Sequence, residues 1–497
     1  MSAVESHGGT ASKTSVPSPL VALGRWLTTA DHVRIGSSLA VGAALWALVS
    51  GVVGAVLGFE RLDAGSALVN ADALTQLFSL HRFALVFGIV APLMLGIAVW
   101  TVPAQLHASN VSLPRLAAFG WWAWLAGSIT VFVSYLGNGG PGGGDERFVE
   151  TYLLGLGIVI VGLVAVAVSV ATTVLTRRNG QRLADVSVGA FSSLVAAIGF
   201  AFTLPVALGT IAYLWVDFVN ARVAFGGADL FDSWLGWSMR EPQTLVYSVI
   251  ALGVLADAAV RTSRGRQPLR GLVLVGAGIA AVVIFGSVTQ QAHIFALGDT
   301  PFDTVRTLVP YALFNLVPLL APLIVMVMSL LGLRTGKPSL SAAFVASFLG
   351  AGMIFTGLVG SAAMHVESLD LVGTVFGEAA TVYVVYGAVL AAIGAATLHI
   401  GSLTGRSLPE VPVILLSLLA FGATVLASLP HYVAGFLDQP AGVASGYDDS
   451  GFVGVANLIV ALGHALMALV VVAFLALVVA SRRGEAVADR YAAGAVS

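Results

Sequence analysis

Residues 73–103 read ALTQLFSLHRFALVFGIVAPLMLGIAVWTVP, an almost unbroken apolar run that carries an ionisable pair, His81 and Arg82, about a third of the way in. A helix needs roughly 20 apolar residues to cross ~30 Å of hydrocarbon, and this run is long enough. An ionisable residue inside such a helix is a functional-site candidate by default. Two readings of His81 stand open on these residues: a ligand or proton-handling imidazole, or a helix-end histidine hydrogen-bonded to a neighbouring helix.

The rest of the chain supports a membrane reading of that run. Hydrophobic residues make up 58% of the 497 and charged residues only 10%, with a mean hydropathy of +0.95. Soluble globular domains carry about 25% charged residues, so this is a polytopic membrane protein. There is no cysteine, which removes disulfides, iron–sulfur clusters, thiolate copper sites and thioether-attached haem. Any cofactor must be held by His, Met, Tyr or carboxylate. The polar stretch Met1–Pro19 lacks the basic-then-apolar pattern of a cleaved signal.

Apolar spans follow at about 36–58, 74–103, 115–137, 149–176, 185–216, 243–262, 270–294, 305–333, 339–363, 371–398, 411–430 and 452–480. The expected fold is therefore an all-α bundle of about twelve transmembrane helices. One membrane domain covers 23–483, between cytoplasmic tails at 1–22 and 484–497. Basic residues gather in alternate loops: Arg177, Arg178 and Arg182, then Arg261, Arg264, Arg266 and Arg270, then Arg334 and Lys337, Arg406, and Arg482 with Arg483. The positive-inside rule makes that side, with both termini, the cytoplasmic face of the plasma membrane. The opposite loops are acidic, among them Asp145, Glu146, Glu150, Asp229, Glu367 and Asp438. An acidic face can steer a basic soluble cytochrome, and it is also the plain complement of a positive inside. The Gly-rich stretches Gly137–Gly144 and Gly226–Trp237 lack the strand-to-helix context and following Lys of a phosphate loop. No nucleic-acid-binding pattern or hydrolase triad is present.

With the spans placed, several motifs resemble subunit I of the haem-copper oxidases. Trp26–Gly36 (WLTTADHVRIG) matches the family's entry to its first span through Asp31, His32, Arg34, Ile35 and Gly36. LFSLHRFALVF resembles the family's Leu-His helix, and Leu113-Pro114-Arg115-Leu116 its Pro-Arg-Leu. Leu204-Pro205-Val206, Ala292-His293-Ile294-Phe295 with Gly298, and Leu429-Pro430-His431 with Gly435 and Pro440 continue the series, so that the resemblance covers about 24–483. It implies that His81 is an axial ligand of a low-spin haem.

The rest of the ligand set departs from the family. Counting back from Gly387-Ala388 places Ala379 and Thr381 where the family has its span-ten histidine pair, one for each haem. Of the three copper histidines, Glu241 stands in place of the first and Ala292 and His293 in place of the adjacent pair. The family's redox tyrosine falls on Leu245, and its two propionate-binding arginines on Ala441 and Gly442. Imidazole suits copper, but one ligand of three does not define a site, and His293 reads as a lone remnant.

These departures lead to the expectation of at most one remodelled b-type haem and no copper. His81 is then the axial residue, and His431 or His464 the candidate second ligand. At about 1.5 Å per residue, His464 lies about 18 Å into its span and His81 about 12 Å into its own, a modest mismatch in depth. Hydrogen bonding between helices is the alternative for both. Asp257 and Glu378 either line a proton path, or cap a helix or bond to Ser and Thr across an interface, and His293 and His365 sit near the outer boundary. Two functions stay open. One is a respiratory electron-transfer subunit working with other respiratory subunits or a cytochrome. The other is a cofactor-free structural or assembly subunit, or a proton or solute pathway on the same scaffold.

Overall fold

The computed structural model describes residues 24, 28–62, 69–222, 224–240, 242–289, 293–337, 339–404, 406–444 and 451–481. The expected tails, together with Glu241 and Ala292, lie outside the described residues. Twelve apolar segments follow one another: α1 (His32–Glu60), α2 (Ala71–Phe83, Ala84–Val90 and Ala91–Gln105), α3 (Pro114–Leu136), α4 (Glu146–Thr176), α5 (Val188–Val219) and α6 (Thr244–Ser263). Then come α7 (Arg270–Ile279 and Val282–Thr289), α8 (Pro301–Tyr311, Ala312–Leu316, Val317–Leu319 and Leu320–Arg334), α9 (Ala342–Met364), α10 (Val375–Thr404), α11 (Glu410–Gly435) and α12 (Gly451–Ser481). Among the described residues no strand occurs, only two isolated bridges, Phe295 to Val366 and Thr374 to Pro440.

Eleven of these helices are long and apolar enough to cross a membrane. The exception is α7, expected as one span over 270–294 but broken around Ala280, where Ala281 N bonds to Gly278 O and Val283 N to Ala280 O. Gly276 and Gly278 just before the break weaken the helix by about 1 kcal/mol each relative to alanine.

Burial separates inner from outer helices. In the most apolar stretch of α2, of α6 and of α10, 94%, 94% and 89% of residues are buried, against 39% in each of α3, α11 and α12. The inner three are therefore enclosed on most sides, while α3, α11 and α12 each turn one side outward.

The course of α2 follows from its sequence. Asn70 caps its start by accepting from Ala73 N at 2.8 Å. Pro92 has no N–H to continue the ladder, and over Ala84–Val90 the helix widens into a π turn in which Ala91 N reaches back to Val86 O. That shift leaves Phe87 O to accept from the Trp124 indole at 2.8 Å. The bulge begins three residues after His81 and so fixes the rotation of α2 next to that side chain.

The bundle closes by packing α12 against α1, with contact at Gly54. A Cβ there would stand 2.6 Å from His464 Cγ, so only glycine lets the two helices meet at this level. Gly54→Leu is expected to destabilise the protein by about 1–3 kcal/mol, the usual cost of overpacking. Thermal unfolding in detergent checks this against Gly422→Leu, where a Cβ meets nothing within 4 Å and no loss is expected.

The Gly-rich loop Gly137–Gly144 wraps the start of α2. Gln76 accepts from Gly140 N at 2.6 Å and donates to Pro141 O at 3.2 Å. Its glycines serve this close packing.

Candidate functional site

One cavity, with about 220 Å³ of space open to water, lies among α1, α2, the segment leading into α6, α7, α8, the end of α9, α10, α11 and α12. Its walls include His81, His431, His464, His293 and His365, so the structure brings together every histidine singled out as a ligand candidate. Arg61 at the end of α1 and Glu378 in the first turn of α10 also line it.

His81 and His464 are in direct contact. Their rings stand edge to face with centroids 5.0 Å apart, so the depth mismatch counted along the spans is absent. His464 is held from the other side, because Tyr386 Oη and His464 Nδ1 lie 2.7 Å apart. A hydrogen bond on one ring nitrogen orients an imidazole whose other nitrogen meets a ligand. The tyrosine belongs to α10, the span that lacks the expected histidines. At the positions counted for those histidines, Ala379 is fully buried and the Thr381 hydroxyl donates to Gly377 O.

His431 is engaged differently. Its Nε2 lies 3.1 Å from Asn457 Oδ1, an oxygen that also accepts from Gln439 Nε2 at 3.1 Å. An acceptor oxygen requires the proton on Nε2, which leaves that nitrogen without a lone pair for a metal. Asn457 in turn donates to Arg61 O at 3.2 Å. Hydrogen bonding between helices, the alternative reading for both His431 and His464, is thus present at each.

Across the cavity, His293 stacks on Phe314 with centroids 4.3 Å apart, and its carbonyl accepts from Asn315 Nδ2 at 3.1 Å. Both partners sit on the second π turn, Ala312–Leu316 of α8. The His293 Nε2 is buried without a hydrogen-bond partner among the described residues. His365, just past the end of α9, places Nδ1 2.7 Å from Ser361 O. Burial pushes its pKa below the ordinary histidine value, which keeps the ring neutral at pH 7. Among the described residues no three His, Asp or Glu side chains are grouped to hold a metal ion.

Whether the residues suit a haem is a question of donors and room. His81 Nε2 is buried and has no hydrogen-bond partner among the described residues, the condition of a nitrogen with an unmet ligand. A metal sits about 2 Å from an imidazole nitrogen, so two axial imidazoles on opposite faces of a flat macrocycle have ring centres about 6 Å apart. The 5.0 Å edge-to-face contact leaves no plane between His81 and His464. His81 Nε2 is thus a donor available to a macrocycle held from one side, and the two rings do not fit one clamped between them. The donors on the His293 side do not fit a three-imidazole copper site.

Several residues here escape sequence reasoning. Arg61 pairs with Glu378 through two contacts, Nη1 to Oε2 at 2.9 Å and Nη2 to Oε1 at 3.0 Å. Glu378 therefore cross-links α10 to the end of α1 through an arginine, a partner that neither sequence reading named. Asn457 is a single amide in a 31-residue apolar helix, a signal the sequence does contain. Asp257 lies apart from the cavity, accepting from Gln105 Nε2 at 3.1 Å, while Gln105 Oε1 accepts from Ser187 at 2.8 Å. Asp257 thus ties α6 to the end of α2, and Gln105 ties α2 on to the Ser187 cap at the start of α5.

Comparison with known proteins agrees with this architecture. The family described as "Cytochrome C and Quinol oxidase polypeptide I" matches residues 34–480. "Quinol oxidase subunit 1" of Bacillus subtilis (strain 168) is 22% identical over 293 residues, covering 55% of this chain and 45% of that protein. "Probable cytochrome c oxidase subunit 1-alpha" of Streptomyces avermitilis is 25% identical over 54% of this chain and 49% of its own. "Cytochrome c oxidase subunit 1" of Corynebacterium diphtheriae is 24% identical over 57% and 53%. The chain thus spans about half the length of the curated relatives it matches.

Proposed function

Since the chain belongs to the cytochrome c and quinol oxidase polypeptide I family, we propose that it is a respiratory electron-transfer subunit with at most one b-type haem, on His81, and no oxygen-reducing haem–copper centre. The observation that carries this reading is the buried, unpartnered His81 Nε2 on the wall of a cavity to which α10 contributes Glu378 and Thr381 instead of histidine. A haem bound there supplies one-electron transfer. His81 would hold it, Tyr386 would orient His464 beside it, and the buried parts of α2 and α10 would shield it from water. The subunit sits in the plasma membrane with both termini in the cytoplasm. Its acidic loops, including the exposed Asp145 and Glu146, would meet other respiratory subunits or a basic cytochrome.

A cofactor-free role, as a structural or assembly subunit or a proton or solute pathway, is the second reading. The direct His81–His464 contact favours it, because the two rings already fill the space between them. Haem extraction and a reduced-minus-oxidised spectrum of the purified protein separate the two. One b-type haem per chain supports the first reading, none supports the second, and two would overturn both.

A further inference from the structure

Arg61 and Glu378 meet in the cavity wall with an asymmetry that points to a ligand class. The Arg61 guanidinium lies over the Phe78 ring, 4.7 Å from its centroid, and its Nε donates to Val443 O at 3.0 Å. Its two remaining nitrogens form a fork that Glu378 fills, and the Gly442 N–H adds a third donor to Glu378 Oε1 at 3.0 Å. A planar guanidinium fork plus a backbone N–H is the geometry that recognises a carboxylate. The donors come from the end of α1 and the 442–443 loop, and the carboxylate reaches them from α10. The Arg61 side chain is 2% exposed, while that of Glu378 keeps 26%, so the carboxylate lies on the open side of the pair.

We propose that Arg61 and the Gly442 N–H form a carboxylate receptor in the cavity wall and that Glu378 is its built-in occupant. At this end the cavity therefore admits an uncharged group, and it accepts a small monocarboxylate once Glu378 is removed. Glu378 is in this sense a specificity-determining residue. It denies the Arg61 guanidinium to any acidic ligand, while Arg82 and Arg240 line other parts of the same cavity. The inference goes beyond the proposed function and stands whether or not haem is bound.

The test is chemical rescue in the full chain, purified in detergent, with acetate and propionate as probes, chloride at equal ionic strength as the salt control and propionamide as the neutral isostere. Glu378→Ala should unfold at a lower temperature than the parent. Propionate and acetate should recover at least half of that shift or raise the yield of folded protein, with propionamide and chloride recovering none. The parent should be insensitive to all four. Glu378→Gln, whose side chain still fills the receptor, should show a smaller shift that propionate does not recover. No effect of either carboxylate on the unfolding temperature or yield of Glu378→Ala would overturn the proposal, and so would equal recovery by propionamide or equal rescue of Glu378→Gln.

Discussion

Replacing Arg61 by methionine is expected to destabilise the protein by about 3 kcal/mol, the lower end of the range for breaking a buried ion pair. The loss comes from what is left behind. Glu378 would keep the Gly442 N–H at 3.0 Å and lose both guanidinium contacts, so a charge inside the bundle would lack its main compensation. Its 26% exposure places the expectation at the lower end rather than the upper. The Val443 carbonyl would also lose the Arg61 Nε donor. Arg61→Met combined with Glu378→Leu should lie closer to the parent than Arg61→Met alone, because removing both partners also removes the burden of burying them. Unfolding of the two variants in detergent checks the expectation. A loss under 1 kcal/mol for Arg61→Met, or a double variant less stable than the single one, would show that the pair is only a surface-like contact.

The second large effect is spectroscopic and concerns protein isolated with haem. His81→Ala should abolish the haem bands altogether, since His81 stands at the family's axial-ligand position and its buried Nε2 has no hydrogen-bond partner among the described residues. His431→Ala should leave the bands in place, because Nε2 of that ring is committed to Asn457 Oδ1. His464→Ala distinguishes one-sided from two-sided ligation. Unchanged coordination is expected from the 5.0 Å contact, whereas conversion from a six- to a five-coordinate spectrum would mean that the ring swings away to become the second ligand. Retention of a normal spectrum by His81→Ala would return His81 to a helix-packing role.

The sequence makes α2 legible because its apolar run is interrupted by a single ionisable pair, and it makes His81 stand out for the same reason. Bundle order and helix number follow from hydropathy, except that span seven is broken, where glycines just before Ala280 compete with apolar character. Residue counting misjudges the relation of His464 to His81. Depth measured from each span's start ignores where the helices begin and how they cross, and a close approach at Gly54 brings the rings together. The Arg61–Glu378 pair is not legible, since its members are 317 residues apart and each alone resembles an ordinary helix-end charge. Tyr386 is hidden beside the Gly387-Ala388 landmark, because a tyrosine in an apolar helix carries no sign of the histidine it orients.

The proposed function leaves no oxygen-reducing haem–copper centre in this chain. Copper and haem quantitation on the purified protein, with a carbon monoxide difference spectrum on the same sample, tests it most directly. The expected result is copper far below one per chain, at most one haem, and no second haem that binds carbon monoxide. One copper per chain together with a second, carbon monoxide-reactive haem would contradict it.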